Sequence, residues 1–316
     1  MKNFNPFLFI IFPFLCFSQR QYSKEFSFVN DNDLFVSIYH DRYYTNGTFF
    51  KYRFLGNDSN EKVIKKIYNF ELGHKMFTPY LASVQFVEHH DRPFAGYLYG
   101  GFGIHQFFSD HSFLKNAVEI GVIGSNSFAR ELQNFVHSFY GFREAIGWKY
   151  QIRNAFALNF KSSYGRPIIQ NSSKYLDLNW VSDANFGTVL MNVATGLYSR
   201  IGFKPLQKNS NTIAFNSNLN KKDADFSNEK EVFFFIKPQI SYVLYDATIE
   251  GSFLNLGSPI TYAVIPFVFT SEFGIRFTSG RFNFGYVVNY HTRKLKSIRV
   301  PKGNLFGTIQ MNYQFN

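Results

Sequence analysis

The chain has 316 residues, 20% of them aromatic with 42 Phe and 20 Tyr, and a formal net charge of +11. Aromatic rings favour strands and membrane interfaces, so this load argues against an ordinary soluble domain. The charge points to an anionic partner, a lipid surface rather than nucleic acid, for which no motif is present; basic solvated loops explain the charge equally well.

The N-terminus reads as a secretory signal over residues 1–18. Lys2 is basic, residues 7–17 are apolar apart from Pro13, and Ser18 is a small residue before a polar stretch. The apolar run is too short to span a bilayer as a helix. The only cysteine, Cys16, lies inside it, so the mature chain, 19–316, is expected to have no disulfide or thiolate chemistry. Leu15 stands where a lipoprotein signal has a small residue, so no lipid anchor is read.

Beyond the signal no run of ~18 apolar residues occurs, which leaves strands as the only way across a membrane. Alternation with a period of two recurs. Val118, Ile120 and Val122 alternate with Glu119 and Gly121, and Phe156, Leu158 and Phe160 with Ala157, Asn159 and Lys161. Phe282, Phe284, Tyr286, Val288 and Tyr290 share one face, as do Leu305, Ile309, Met311, Tyr313 and Phe315. Apolar side chains outward and small or polar ones inward are the pattern of a transmembrane barrel, although a soluble sandwich also alternates. The signal, the aromatic load and a last strand ending on Phe315 favour the barrel. The expected fold is therefore all-β, an antiparallel up-and-down transmembrane β-barrel of about twelve strands. They are placed near 25–33, 47–55, 67–76, 97–108, 115–123, 146–153, 155–164, 186–203, 232–248, 262–278, 281–291 and 304–315. The longest connection, 207–230, is rich in Asn, Ser, Lys and Asp and reads as a mobile loop.

Polar residues concentrate in the first half. Asn30, Asp31, Asn32 and Asp33 place four oxygen-bearing side chains in a row, suited to a hard cation or, equally, to a turn. Asp41 to Gly47 and Asp91 to Gly96 follow. His89 and His90 point opposite ways if extended, and read as a solvated loop. After Gly121-Val122-Ile123-Gly124 the strand period stops and a helical one begins. Phe128, Leu132, Phe135 and Val136 form an apolar stripe, and Gln133 and His137 share a face. Ser127 is a candidate cap and Glu131 suits the positive helix end. Such a helix is expected inside the barrel or over its mouth.

In order and spacing, Asn30-Asp31, Tyr44-Thr45-Asn46-Gly47, Gly73-His74 leading to Thr78-Pro79, Asp91-Arg92-Pro93-Phe94-Ala95-Gly96, and Gly121 to Gly124 followed by Glu131, Gln133 and His137 resemble the outer-membrane lipid A 3′-O-deacylase family. The resemblance covers roughly residues 26–150. It implies a twelve-stranded barrel that removes the 3′-linked acyloxyacyl chain of lipid A with calcium as cofactor, working as a monomer on lipopolysaccharide in the bacterial outer membrane. Carried across, His137 is the catalytic histidine. Asn30, Asp31 and Thr45 are the essential polar residues, with Asp31 at the calcium. Gln133 and Glu131 lie on the same helix, and Asp91 and Arg92 are the charged pair near the site. Ser125 stands where the family has Pro, and Phe128-Ala129-Arg130 where a glycine is common; both bear on the approach of substrate. The implied reaction has His137 activating water, Asn30 and Thr45 orienting it or the substrate, Gln133 fixing the imidazole, and Arg92 with nearby Lys holding a lipid phosphate. No nucleophile elbow is present, so a covalent serine route is not favoured. A phospholipase or other lipid esterase, an inactive barrel or pore, and a soluble glycan-binding sandwich are the competing readings.

Overall fold

The computed structural model describes residues 21–36, 43–58, 60–80, 84–141, 144–169, 174–221 and 230–316. The signal segment, Asp41 and Arg42, and residues 222–229 lie outside the described residues.

Twelve antiparallel strands close into one barrel. They are β1 (Lys24–Asn32), β2 (Tyr43–Gly56), β3 (Val63–Thr78), β4 (Ala95–Phe108), β5 (Phe113–Ile123), β6 (Ala155–Ile169), β7 (Leu176–Gly187), β8 (Leu190–Gly202), β9 (Val232–Asp246), β10 (Phe267–Ser279), β11 (Phe282–Thr292) and β12 (Gly303–Phe315). Closure is made by β1 against β12, from Lys24↔Phe315 to Asn32↔Gly307. No backbone edge is left unpaired, the condition for a sheet to sit in lipid. The register makes each strand two-faced. In β1, Phe26 is exposed outward while Glu25 and Ser27 are buried inside. The interior is polar and ion-paired: Glu25 meets Arg53, Lys51 meets Glu71 at 3.1 Å, and Lys237 bridges Asp183 and Glu272 at 3.4 Å each. An apolar outside around a charged inside is stable only when the outside solvent is hydrocarbon.

The twelve strands differ from the expected set at two places. The segment expected as a strand at 146–153 holds a single 3-10 turn, Ile146–Tyr150. In its place β7 completes the twelve, and only its end overlaps the expected 186–203. The reason lies on its inward row, where Asp177 serves Arg200 and Asp183 serves Lys237. On the outward row Ser182 and Ala184 interrupt the apolar residues. Without an unbroken apolar row the strand period does not stand out.

One end of the barrel carries the start of β1, the end of β12 and the short turns, such as 109–112 and 280–281; the other carries the long connections 79–94, 124–154, 247–266 and 293–302. By the rule for outer-membrane barrels the first is periplasmic and the second faces outward from the cell. The exception is the β8–β9 connection. Its described part, through residue 221, is not a mobile loop: residues 209–220 are almost all buried and plug the periplasmic end. Lys65 donates to Ser217 O at 2.7 Å, Lys115 to Phe215 O at 2.8 Å, and Arg276 to Ala214 O at 2.9 Å. The Phe215 ring packs on Phe113 with centroids 4.5 Å apart. A polar segment is the right filler for a polar lumen, because the interior cations need acceptors that lipid cannot supply.

Candidate active site on the outer wall

The helix α1 (Ala129–Tyr140) does not enter the barrel or cross its mouth; it lies against the outside of β3 and β4. Three contacts fix this. Phe70 and Leu72 are exposed on the outward row of β3, and the same row continues to His74, Met76 and Thr78. Met76 is buried in a cluster with Phe94, Ala129, Ala145 and Trp148. His74 Nε2 lies 3.0 Å from Ser127 O. Gly96 faces the same side, and a Cβ there would stand 2.0 Å from Ser127 Oγ and 2.4 Å from Ala129 Cβ. Only glycine allows the helix start to come this close to the wall.

The start is unconventional. Ser127 does not cap α1; its Oγ donates to Gly124 O at 2.6 Å, and the cap position is Phe128 in the left-handed region (φ 58°). Gly124 itself sits at φ 98°, open only to glycine. The helix ends at Gly141, whose N–H donates to His137 O.

The orientation of α1 is inverted relative to a helix on a soluble protein. Ala129, Gln133 and His137, at i, i+4 and i+8, are the buried residues and turn inward. Phe135 and Phe139 are 70% and 79% exposed, with Leu132 and Val136 beside them. Set on the outside of a barrel, that apolar face meets lipid, and the polar face is shut against protein. Gln133 is held by Trp148, whose Nε1 donates to Gln133 Oε1 at 2.5 Å. Glu131 and Arg130 are exposed.

A second polar group occupies the outer wall of β1 and β2, at the level of His74. Asn30 is opposite Thr48, and Thr48 opposite His74. Asn30 Nδ2 donates to Gly47 O and to Thr48 Oγ1, both at 3.1 Å, and Thr48 Oγ1 donates to Asn46 Oδ1 at 3.0 Å. Thr45 is the extra residue of a bulge between Tyr44 and Asn46. Its buried hydroxyl lies 2.6 Å from that of Thr78 on the outward row. Bulges re-aim a side chain in this way beside functional sites. Asn46, Thr48, Thr78 and Trp148 were not among the expected site residues; the available signal was the two-residue spacing of Asn46 and Thr48, which puts both on one strand face.

Asp31 is on the other face. It lines the interior chamber, about 410 Å³, together with Lys75, Glu119 and Lys161. Both its oxygens are taken: Tyr44 OH donates to Oδ2 at 2.8 Å and Thr308 Oγ1 to Oδ1 at 2.7 Å. Adjacent residues in a strand point apart, so Asn30 and Asp31 cannot serve one side of the wall. This bears on the calcium that the resemblance implies. Calcium takes six to eight oxygens in one shell. Asp31 is separated by the wall from the neutral oxygens of Asn30, Thr45, Asn46 and Thr48 and lies among lysines, so these residues do not fit a calcium ion held at Asp31. Among the described residues, no cluster of three acidic, His or Cys side chains forms a metal site elsewhere.

Asp91 and Arg92 also serve the fold. Asp91 accepts from Tyr43 OH and from Tyr80 N, each at 3.0 Å. Arg92 Nη1 donates to Tyr43 O at 3.0 Å and Nη2 to Thr248 Oγ1 at 2.8 Å, on the short helix α2 (Ala247–Glu250). Its guanidinium lies 4.4 Å from the Phe77 ring centroid. Burial pushes it down to about 10, which leaves it charged at neutral pH. The pair therefore stitches the mouth of the barrel shut, away from the outer wall.

The model of the family described as "Outer membrane protein LpxR" matches residues 6–315. The chain belongs to the LpxR family. Its structure is similar to that of LpxR from Salmonella typhimurium, with a TM-score of 0.73 over 92% of this chain and 100% of that one, at 16% identity. That is a likeness of fold. Weaker likenesses, with TM-scores of 0.46 and 0.42, extend to the β domain of the Bordetella autotransporter BrkA (8% identity, covering 94% of this chain and 99% of that one) and the translocator domain of NalP from Neisseria meningitidis (10% identity, 95% and 91%). No curated protein matches the sequence. An LpxR-family barrel is a protein of the outer membrane, as the charged interior and apolar exterior require.

Proposed function

We propose that this LpxR-family chain is a lipid A deacylase that hydrolyses the 3′-linked acyloxyacyl ester on the outer wall of the barrel, in the outer leaflet. The observation that carries the reading is α1 itself: a helix on the outside of β3 and β4 that shows its phenylalanines outward and buries Gln133 and His137, with Gln133 bonded to Trp148. Lipid reaches such a site laterally, without entering the lumen.

In this reading His137 takes a proton from water. The hydroxide attacks the ester carbonyl, and the tetrahedral intermediate collapses as the imidazolium returns the proton to the departing sugar oxygen. Fatty acid and deacylated lipid are the products. General-base help of this kind contributes roughly 10²–10⁴-fold. Asn30 and Thr45 are the wall groups that orient water or ester. Gln133, pinned by Trp148, fixes the helix face that carries the imidazole. Arg92 is spent in the mouth; Arg130 and Lys149, both exposed around α1, are the cations available to a lipid phosphate. No step is routed through a metal.

The test is the mass profile of lipid A from cells with and without the chain. Loss of one acyloxyacyl group is expected, and a His137→Ala barrel that folds normally, judged by heat-modifiable mobility, should leave lipid A intact. Cleavage of glycerophospholipid with lipid A untouched would replace this reading by a phospholipase.

A further inference from the structure

A second site lies at the opposite face of the same wall, under the sealed mouth. The segments 79–94, 247–266 and 293–302 interlock there: Tyr262 OH donates to His90 O at 2.6 Å, and Arg299 donates to Glu88 O at 2.8 Å. Beneath them is a partly open cavity of about 40 Å³, lined by Arg92, Lys294 and Asn304 among others. A single water needs about 10–15 Å³ on such a measure, so the cavity has room for more than one atom-sized occupant.

Its lining is unbalanced. Three cations, Arg92, Arg293 and Lys294, face it against one carboxylate, Asp246. Oδ1 of that carboxylate is engaged by Thr248 N and Oγ1, at 2.9 and 2.6 Å. Arg293 is occupied with Ser297 O at 3.2 Å. Two buried donors have no partner among the described residues: Nε of Arg92, a residue 5% exposed, and Nδ2 of Asn304, 9% exposed. Lys294 makes no ion pair within 4.0 Å among the described residues, and burial holds its ammonium below the usual lysine range. Burying donors and cations without acceptors is costly, and proteins meet that cost with a counter-charge.

We propose that this cavity binds one small inorganic anion, with the Arg92 Nε–H, the Asn304 amide and the Lys294 ammonium as its donors. The site is independent of ester hydrolysis. Its effect is to tie two of the outer connections to the barrel wall, since Arg92 and Lys294 come from the 79–94 and 293–302 segments and Asn304 from β12. The anion is a structural ligand, and its binding free energy adds to the stability of the folded barrel.

The experiment is thermal unfolding of the purified full-length barrel in neutral detergent. Sodium chloride and sodium phosphate are titrated separately against sodium gluconate at matched ionic strength. A saturable rise in Tm of a few degrees with chloride or phosphate, absent with bulky gluconate, is expected; the arm that responds tells a halide from an oxyanion. Lys294→Met, which removes the unpaired ammonium and keeps the volume, should raise Tm in gluconate and abolish the response. Identical Tm in all three salts, or an undiminished response in Lys294→Met, overturns the proposal. Should that variant fail to fold, crystals of the unaltered protein grown with sodium bromide decide: an anomalous peak between Arg92 and Asn304 supports the site, and its absence refutes it.

Discussion

Asn30 and Asp31 are neighbours in β1, yet they belong to two different environments. Asn30 shares the lipid-side wall with Thr45, Asn46, Thr48 and His74, under or beside a helix. Asp31 faces the interior chamber between the outer connections and the plug, where Tyr44 and Thr308 occupy its oxygens. The two faces follow opposite rules. On the outer face a polar side chain is out of place in hydrocarbon unless it serves a lipid substrate or is covered. On the inner face polar side chains are the norm, and satisfy one another. A cluster of polar residues in a barrel sequence is therefore a functional signal only on the outward row.

That contrast can be broken experimentally, beginning with the most drastic change. Replacing residues 208–220 by a short Gly-Ser linker removes the plug. Lipid A deacylation should stay within about twofold in the folded variant, because in the proposed reaction the substrate stays outside the lumen. Loss of hydrolysis in an unplugged, folded barrel would place the chemistry inside. Gly96→Val comes next: its side chain occupies the space of Ser127 and Ala129 and lifts α1 from the wall. A misplacement near 1 Å costs roughly 10²-fold in turnover, with the barrel's heat-modifiable mobility unchanged.

The neighbouring pair gives a sharper comparison. Asn30→Ala is expected to lower kcat by up to roughly 10²-fold, the scale of one lost positioning donor, with little change in Tm. Asp31→Ala leaves the Tyr44 and Thr308 hydroxyls without an acceptor and should cost about 1–3 kcal/mol of stability, with Tyr44→Phe reproducing part of it. If Asp31→Ala abolishes activity at unchanged Tm, and calcium restores it in a concentration-dependent way, the division of labour across the wall is wrong. The smallest effect belongs to Trp148→Phe. It leaves the buried Gln133 Oε1 without its 2.5 Å partner, and a loss of about 1–3 kcal/mol should appear as a lowered Tm and a kcat reduced only a few-fold.

Much of the fold could be read from the alternation of β4, β5, β6, β11 and β12, where bulky residues fill the outward row. It failed at β7, whose inward row carries Asp177 and Asp183 and whose outward row is broken by Ser182 and Ala184. It failed again at 209–220, since a polar stretch destined for a polar lumen has the composition of a solvated loop. For the site, the period fixed that Gln133 and His137 share a helical face and that Phe128, Leu132 and Phe135 occupy another. Which face meets the protein was not legible, because the usual rule of apolar inward holds only where water is the outer solvent.

By itself, then, the sequence determined a two-faced sheet, an amphipathic helix after Gly124, and an order of short motifs that resembles one family. Those are local properties, set by side-chain period and spacing. Only the tertiary structure decided that the helix lies outside, that Asn30 and Asp31 are parted by the wall, and that Arg92 closes the mouth. Each of these depends on which solvent lies on which side once strand β1 has paired with β12, and that choice is made by closure of the whole barrel, not by any one of its segments.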